Sequence, residues 1–171
     1  MKKIILAGYM ASGKTTIALL LSKATGFQYT DLDEIIEEKA GKSIHELFAQ
    51  DGEIQFRKLE HNSLKKVVEN EDDFVLALGG GTPCYANNHE FLQREDVISI
   101  YLKASVPELV KRIREQDTTR PLLESVQDDA LEDFIAKHLF DRSYYYYQAK
   151  HVISVDDKLP EAVVSEIMSL F

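Results

Sequence analysis

"GYMASGKTT" (residues 8–16) stands between the short apolar run "KIILA" (3–7) and the segment "TTIALLLSKAT" (15–25). A β-branched apolar run of this length suits a strand buried on both faces of a parallel sheet, and the longer segment predicts a helix closed by Gly26. In the turn between them, Gly8, Gly13, Lys14 and Thr15 satisfy G-x-x-x-x-G-K-[ST] in the strand, loop and helix setting that the pattern needs. Small residues let backbone N–H groups turn inward around phosphate oxygens, and the start of the helix presents its positive end to them. Lys14 is placed to reach the terminal phosphates, and the Thr15 hydroxyl to ligate Mg²⁺. The stretch therefore predicts a bound nucleoside triphosphate. A guanine-reading switch normally also needs an N-K-x-D run, and none occurs; "VDDK" (155–158) has the wrong residues. A small-molecule kinase is the better class.

The alternation begun by this unit continues along the chain. "FQYTDLD" (27–33) predicts a short strand reaching an acidic turn, and "EIIEEKA" (34–40) a helix stopped by Gly41. Ser43 can cap "IHELFAQ" (44–50), with Glu46 at the reciprocal capping-box position. A break at "DG" (51–52) precedes a long helix from about Glu53 to Val68, with an apolar stripe of Ile54, Leu59, Leu64, Val67 and Val68. "DFVLAL" (73–78) is a buried-strand candidate ending in Gly79, Gly80 and Gly81; "HEFLQRE" (89–95) reads as helix and "VISIYL" (97–102) as strand. Pro107 fits the first turn of "PELVKRIREQ" (107–116), where its missing N–H is no loss. A helix from about Asp128 to Tyr147, the strand "HVISV" (151–155) and a helix from Pro160 complete the pattern. Five strands alternating with helices predict an α/β fold: one open parallel sheet with helices on both faces.

With 171 residues the chain is the size of one domain, spanning 1–171, large enough for a core of its own; a monomer is expected. A net charge of -9 works against a non-specific grip on nucleic acid or anionic membranes, so neither is expected as a partner. The single cysteine, Cys84, excludes an intrachain disulfide and a Cys-rich zinc site, and reads as a half-buried small side chain. His45, His61, His89, His138 and His151 are scattered and form no metal set. No apolar run approaches a membrane span or a signal peptide, and a cytoplasmic enzyme fits this profile.

Candidates for the acceptor end are weaker one by one. Asp31 and Asp33, two apart after a predicted strand, would point to one face if the backbone stayed extended, one carboxylate toward hydrated Mg²⁺ and the other toward an attacking hydroxyl. Aspartates before a helix also serve as plain N-caps. The run Gly79 to Gly81 marks a close backbone approach to a ligand or simply a tight turn. Arg57 and Arg142 lie on separate predicted helices, where a surface ion pair is the ordinary use, and spacing alone does not bring them together.

Taken together, "GYMASGKTT", "TDLDEII", "GEIQFRKLE", "LALGGGT", "TRPLL" and "DRSYYYYQA", in this order and spacing, resemble the shikimate kinase family of the nucleoside monophosphate kinase-like group, over essentially the whole chain. The resemblance implies a three-layer α/β/α P-loop fold with a five-stranded parallel sheet in the order 2-3-1-4-5. It implies a shikimate-binding region at about 31–61 and a lid at about 115–126. The implied reaction is ATP-dependent phosphorylation of the shikimate 3-hydroxyl, in the route to chorismate and aromatic amino acids. Gly8, Ala11, Ser12, Gly13, Lys14, Thr15 and Thr16 would then surround the ATP phosphates, with Thr15 and Asp31 near Mg²⁺. Arg120 would be the lid arginine that reaches the phosphates, and Arg112 an arginine stacked on adenine. Asp33 would sit at the acceptor hydroxyl, Arg57 and Arg142 around the carboxylate, Gly79, Gly80 and Gly81 at the substrate, and Phe56 and Glu60 around the pocket, with Glu60 a partner for Arg57. Lys14, Asp33 and Arg120 would be the catalytic set. An arginine fork matches a planar carboxylate better than a lysine does, which makes these roles chemically coherent. Ala11 departs from the glycine frequent in the family at that place, and four tyrosines, 144–147, replace its usual Pro-Leu-Tyr stretch. The other readings are a kinase for a different hydroxylated acid such as gluconate, and a nucleotide-dependent regulatory protein without phosphoryl transfer.

Overall fold

The computed structural model describes residues 2–116, 123 and 126–171. Strand β1 (Lys3–Ala7) is buried along its whole length, as the apolar run from Ile4 to Ala7 requires of a central parallel strand, and its one charged residue, Lys3, is paired with Asp96. It lies between β3 (Phe74–Ala77) and β4 (Val97–Lys103), with Ile5 opposite Leu76 on one side and Ser99 on the other. β2 (Gln28–Asp31) and β5 (His151–Ser154) form the edges, giving one parallel sheet in the order β2-β3-β1-β4-β5. The expected three-layer architecture and strand order are thus both present. Every strand of a parallel sheet ends at the same edge, so the turns after β1, β2 and β3 emerge side by side; this edge is where open α/β sheets bind ligands.

Helix α1 (Lys14–Thr25) packs on β3 and on α6 (Pro160–Met168), while α4 (Val106–Glu115) packs on α5 (Leu131–Tyr146). Ile17, Ala18 and Leu21 of α1 join Ile4 to Ala7 and Phe74 to Leu78 in the core. The helix ends follow local chemistry. Gly26 and Gly41 close α1 and α2 (Leu32–Ala40) in the left-handed region, where a side chain is unfavourable. Ser43 and Glu46 form the expected reciprocal capping box.

Four expectations need correction. The second strand stops at Asp31 and the helix begins at Leu32, so Asp33 is a helical residue, because the Asp31 side chain caps that helix. Ile54 is exposed, so the stripe of the long helix narrows to buried Leu64 and Val68 with half-buried Leu59 and Val67. "HEFLQRE" forms a 3₁₀ segment (Asn88–Gln93), and Asp128–Ala130 is a 3₁₀ turn leading into α5. Of the four tyrosines, Tyr146 turns to the core and Tyr144 and Tyr147 face solvent, the division that helical spacing imposes.

The break expected at "DG" is real. Helix α3 (Ile44–Glu69) consists of two pieces meeting at Gly52, whose φ of 79° and ψ of 166° fall in a region open essentially to glycine alone. The second piece carries Arg57 and Glu60, so Gly52 sets the direction of the acceptor helix. A Cβ there would meet nothing within 4 Å, leaving backbone strain as the only penalty. We expect Gly52→Ala to fold and to lose about 1–2 kcal/mol in urea denaturation; unchanged stability would show that this backbone conformation carries no strain.

Candidate functional site

The loop from β1 to α1 wraps around its own backbone N–H groups through unusual dihedral angles. Gly13 caps α1 with φ 96°, and Ala11 takes φ 64°, a conformation that explains why glycine suits this place and that strains an alanine by about 1 kcal/mol. Gly8 is required by space: a Cβ would lie 2.7 Å from Ser12 Oγ and 2.8 Å from the Leu102 carbonyl. Ser12 is buried and its hydroxyl has no hydrogen-bond partner among the described residues, an orphaned polar atom inside the loop. Lys14 Nζ donates to the carbonyls of Gly8 and Tyr9 at 2.8 and 2.9 Å. A cleft of about 410 Å³ opens over the loop, lined by residues 10–17 together with Asp31, Asp33, Gly79, Gly80 and Arg112.

Arg112 is fixed at this cleft by contacts that the sequence did not disclose. Its Nε pairs with Glu108 at 2.7 Å, Nη1 donates to the carbonyls of Ala11 and Ser12, and Nη2 donates to the carbonyl of Val155. The guanidinium thus ties the donor loop to the turn after β5. The only signal in the sequence was the Glu108 to Arg112 spacing of four, which predicts an ion pair and not a loop anchor.

The two aspartates meet the cleft by a route other than strand alternation. Asp31 caps α2, its Oδ1 accepting from the Asp33 N–H at 2.9 Å, while its Oδ2 accepts from the Thr15 hydroxyl at 3.3 Å. The capping use and the site use therefore coincide in one side chain. Asp33, in the first turn of α2, faces Gly79, where a Cβ would lie 3.0 Å from Oδ1. Burial, reinforced by the Asp31 and Glu60 carboxylates and opposed by Lys14, pushes the Asp33 carboxyl up to about 6.

Arg57 and Arg142 converge. A Cβ on Gly81 would lie 3.0 Å from Arg57 Nη2 and 3.3 Å from Arg142 Nη2; one on Gly80 would lie 3.5 Å from Arg142 Nη1. A side chain at Gly81 would crowd both guanidinium groups out of these positions, whereas at Gly80 the Arg142 contact would be an ordinary one. Arg57 Nη1 donates to Glu60 Oε1 at 2.8 Å, the expected pairing, and the Thr82 hydroxyl donates to Glu60 Oε2 at 2.8 Å. Phe56 is buried beneath, its ring 5.0 Å from the Arg57 guanidinium. Arg142 is buried on α5 and, among the described residues, makes no ion pair, so a buried positive charge stands open to an anion. Tyr146, one turn further along α5, donates its hydroxyl to the Gly80 carbonyl at 2.6 Å and was not singled out from the sequence; neither was Thr82. Arg120 and most of the expected lid lie outside the described residues.

Donor loop, paired carboxylates and converging arginines thus meet at one sheet edge. The sequence profile described as shikimate kinase matches residues 10–171. This chain belongs to the shikimate kinase family. A shikimate kinase of Flavobacterium psychrophilum is 53% identical over 98% of this chain and 97% of its own length. Among solved structures, the shikimate kinase of Bacteroides thetaiotaomicron is 35% identical, covers 98% of this chain and 97% of its own, and superposes with a TM-score of 0.90. That of Acinetobacter baumannii, solved in complex with shikimate, is 31% identical, covers 98% and 91%, and gives 0.87. The resemblance in the six sequence stretches is therefore a family relationship along the whole chain.

Because the folded protein raises the Asp33 carboxyl above its unfolded value, ionising it opposes folding: the stabilisation is whole below about pH 4 and is lost as pH rises toward 6. Asp33→Asn should therefore make the unliganded protein more stable at pH 7.5 by about 1–2 kcal/mol, allowing for partial exposure, with the gap closing below about pH 4. Urea denaturation at the two pH values tests this; a variant less stable at pH 7.5 would mean that the charge is not strained there.

Proposed function

We propose that the chain performs the reaction of its family, transfer of the γ-phosphoryl group of ATP to the 3-hydroxyl of shikimate, giving shikimate 3-phosphate and ADP. The convergence of Arg57 and Arg142 on Gly81, with Asp33 at the neighbouring Gly79 and the phosphate loop across the cleft, is the observation that supports it most. Two guanidinium groups aimed at one point offer a planar carboxylate parallel N–H donors. Glu60 holds Arg57 by Nη1, so that its Nη2 is left for the substrate beside Gly81. Asp33 orients the receiving hydroxyl and accepts its proton as the new P–O bond forms and the bond to ADP breaks. Its raised pKa makes the carboxylate a somewhat better base than an exposed aspartate, although alignment and charge neutralisation carry most of such a transfer.

The loop N–H groups from Ala11 to Thr16 and the Lys14 ammonium hold the phosphates, with Gly8 and Gly13 giving the loop its shape. Arg112 keeps that loop in place and borders the adenine end of the cleft; Arg120 is assigned to the phosphates by sequence resemblance alone. The Thr15 hydroxyl and the Asp31 carboxylate, already in contact, are hard oxygen donors of the kind Mg²⁺ takes, and they would hold it with Asp31 acting through water. The ion supplies charge neutralisation at the transferring phosphate.

An ADP-release assay across shikimate, gluconate and nucleoside monophosphates should show turnover with shikimate; turnover confined to gluconate would replace this reading. Asp33→Asn should lower kcat by about 10²- to 10⁴-fold with ATP affinity unchanged. Arg142→Ala should weaken shikimate binding by about 10- to 100-fold, and Arg142→Lys should restore only part of it, because a point charge does not reproduce a fork. Parent-like affinity in Arg142→Ala would remove this arginine from the carboxylate site.

A further inference from the structure

Past the three glycines the chain forms a 3₁₀ turn, Thr82–Cys84, and Tyr85 closes it in an extended conformation. The Arg57 guanidinium sits over the Tyr85 ring, 3.7 Å from its centroid; the rings of Phe56 and Phe48 stand at 5.0 and 5.8 Å. The tight aromatic contact on this arginine is thus made by a residue with 37% of its surface exposed, so burial of apolar area is a poor reason for the ring to be there. Around the guanidinium, Nη1 is taken by Glu60, and Nε makes a long ion pair with Glu53 at 3.6 Å, beyond hydrogen-bonding reach, so that Nε has no hydrogen-bond partner among the described residues. Both Nη atoms lie against Gly81, Nη2 3.0 Å and Nη1 3.2 Å from where its Cβ would stand. Nη2, which makes no hydrogen bond among the described residues, is the atom left for a ligand at the point that Arg142 Nη2 also approaches, 3.3 Å from the same Cβ position.

The backbone that carries the ring is strained. Ala86 and Asn87 follow with φ of 49° and 55°, two successive non-glycine residues in the left-handed region. Buried Asn88 holds this turn: its N–H donates to the Tyr85 carbonyl at 2.9 Å, its Nδ2 donates to the Thr82 carbonyl at 2.9 Å, and its Oδ1 is hydrogen-bonded to His61 Nδ1 at 2.7 Å. Thr82 in turn binds Glu60. The loop is therefore tied to α3 at Glu60 and His61, on the same helix as Arg57. Such strain persists where surrounding contacts over-determine it and where it places a group. The group placed here is the face of Tyr85.

We propose that Tyr85 is a positioning residue for the acceptor, its ring face holding the Arg57 guanidinium in the plane from which the Nη2 edge meets the substrate carboxylate. Without the ring, Arg57 is free to swing fully onto the exposed carboxylate of Glu53, with which its Nε already makes a long ion pair at 3.6 Å. This rests on the carboxylate clamp proposed above. A cation over an aromatic face is held by the ring's quadrupole, so the hydroxyl is dispensable and the ring is not.

The chain has no tryptophan, so shikimate affinity is read by titration calorimetry, beside steady-state kinetics and thermal melts of each variant. Tyr85→Ala and Tyr85→Leu should weaken shikimate binding about 3- to 10-fold, with Tyr85→Phe close to the parent. At saturating shikimate, kcat and the KM for ATP should be unchanged, and adding Tyr85→Ala to Arg57→Ala should cause no further loss. Parent-like affinity in Tyr85→Leu while Arg57→Ala binds weakly would overturn the role of Tyr85 and leave the clamp standing. Parent-like affinity in Arg57→Ala would overturn the clamp itself. A Tyr85→Phe defect equal to that of Tyr85→Ala, or a Tyr85→Leu variant that loses kcat and ATP affinity together with shikimate affinity, would also overturn the proposal.

Discussion

The site depends on packing two guanidinium groups and a carboxylate against a backbone with no side chains of its own. Gly79 faces Asp33 and Gly81 faces both Arg57 and Arg142, at 3.0 to 3.3 Å from where a Cβ would stand, while Gly80 lies in ordinary contact with Arg142. Removing charged groups from water carries a penalty of several kcal/mol per ion unless opposite charge or hydrogen bonds offset it. Glu60, itself held by Thr82, offsets Arg57, but Arg142 meets no carboxylate among the described residues, and Asp33 feels the charges of Asp31, Glu60 and Glu37. The unliganded protein thus holds an unbalanced arrangement of charge that an anion with a hydroxyl would balance.

Helix α5 holds this arrangement with one face. His138, Arg142 and Tyr146 are spaced by four residues, which places them one above another along the helix. His138 is hydrogen-bonded to the Tyr9 hydroxyl of the donor loop at 2.9 Å, and Tyr146 donates to the Gly80 carbonyl. Arg142, between them, faces the acceptor side. Burial, followed by the charge of Arg142, lowers the His138 pKa, which disfavours a second positive charge beside the arginine. Burial raises the Tyr146 hydroxyl far above its ordinary range, keeping it a donor. One helix therefore sets the spacing between the donor loop and the triglycine loop, the spacing across which a phosphoryl group has to move.

Strain is distributed at this same edge. Ala11 in the donor loop and the pair Ala86 and Asn87 beyond the glycines are three of the four non-glycine residues with positive φ among those described. Gly52, also in a glycine-only conformation, aims the helix that bears Arg57. Each of the three non-glycine residues costs the folded state about 1 kcal/mol or more, a penalty that glycine avoids at position 52, and the buried central sheet supplies the rigid base that tolerates it.

The sequence by itself determined the sheet, the helices and the donor loop, because each rests on local periods, caps and glycine positions that the chain carries within a few residues: "KIILA" before "GYMASGKTT", Gly26 and Gly41 after their helices, Ser43 with Glu46. It also raised Arg57, Arg142 and the triglycine as candidates, whose roles came only through family resemblance. Its error at Asp33 has a plain cause: extended and helical spacing diverge within two residues, and the Asp31 cap decided between them. Tertiary structure alone decided that Arg57 and Arg142, 85 positions apart, meet at Gly81, that Arg112 grips the donor loop, and that Tyr146 and Thr82 brace the acceptor loops. Those contacts join residues far apart in the chain through the parallel sheet, whose strands all deliver their turns to one edge, and no local pattern encodes which turns become neighbours.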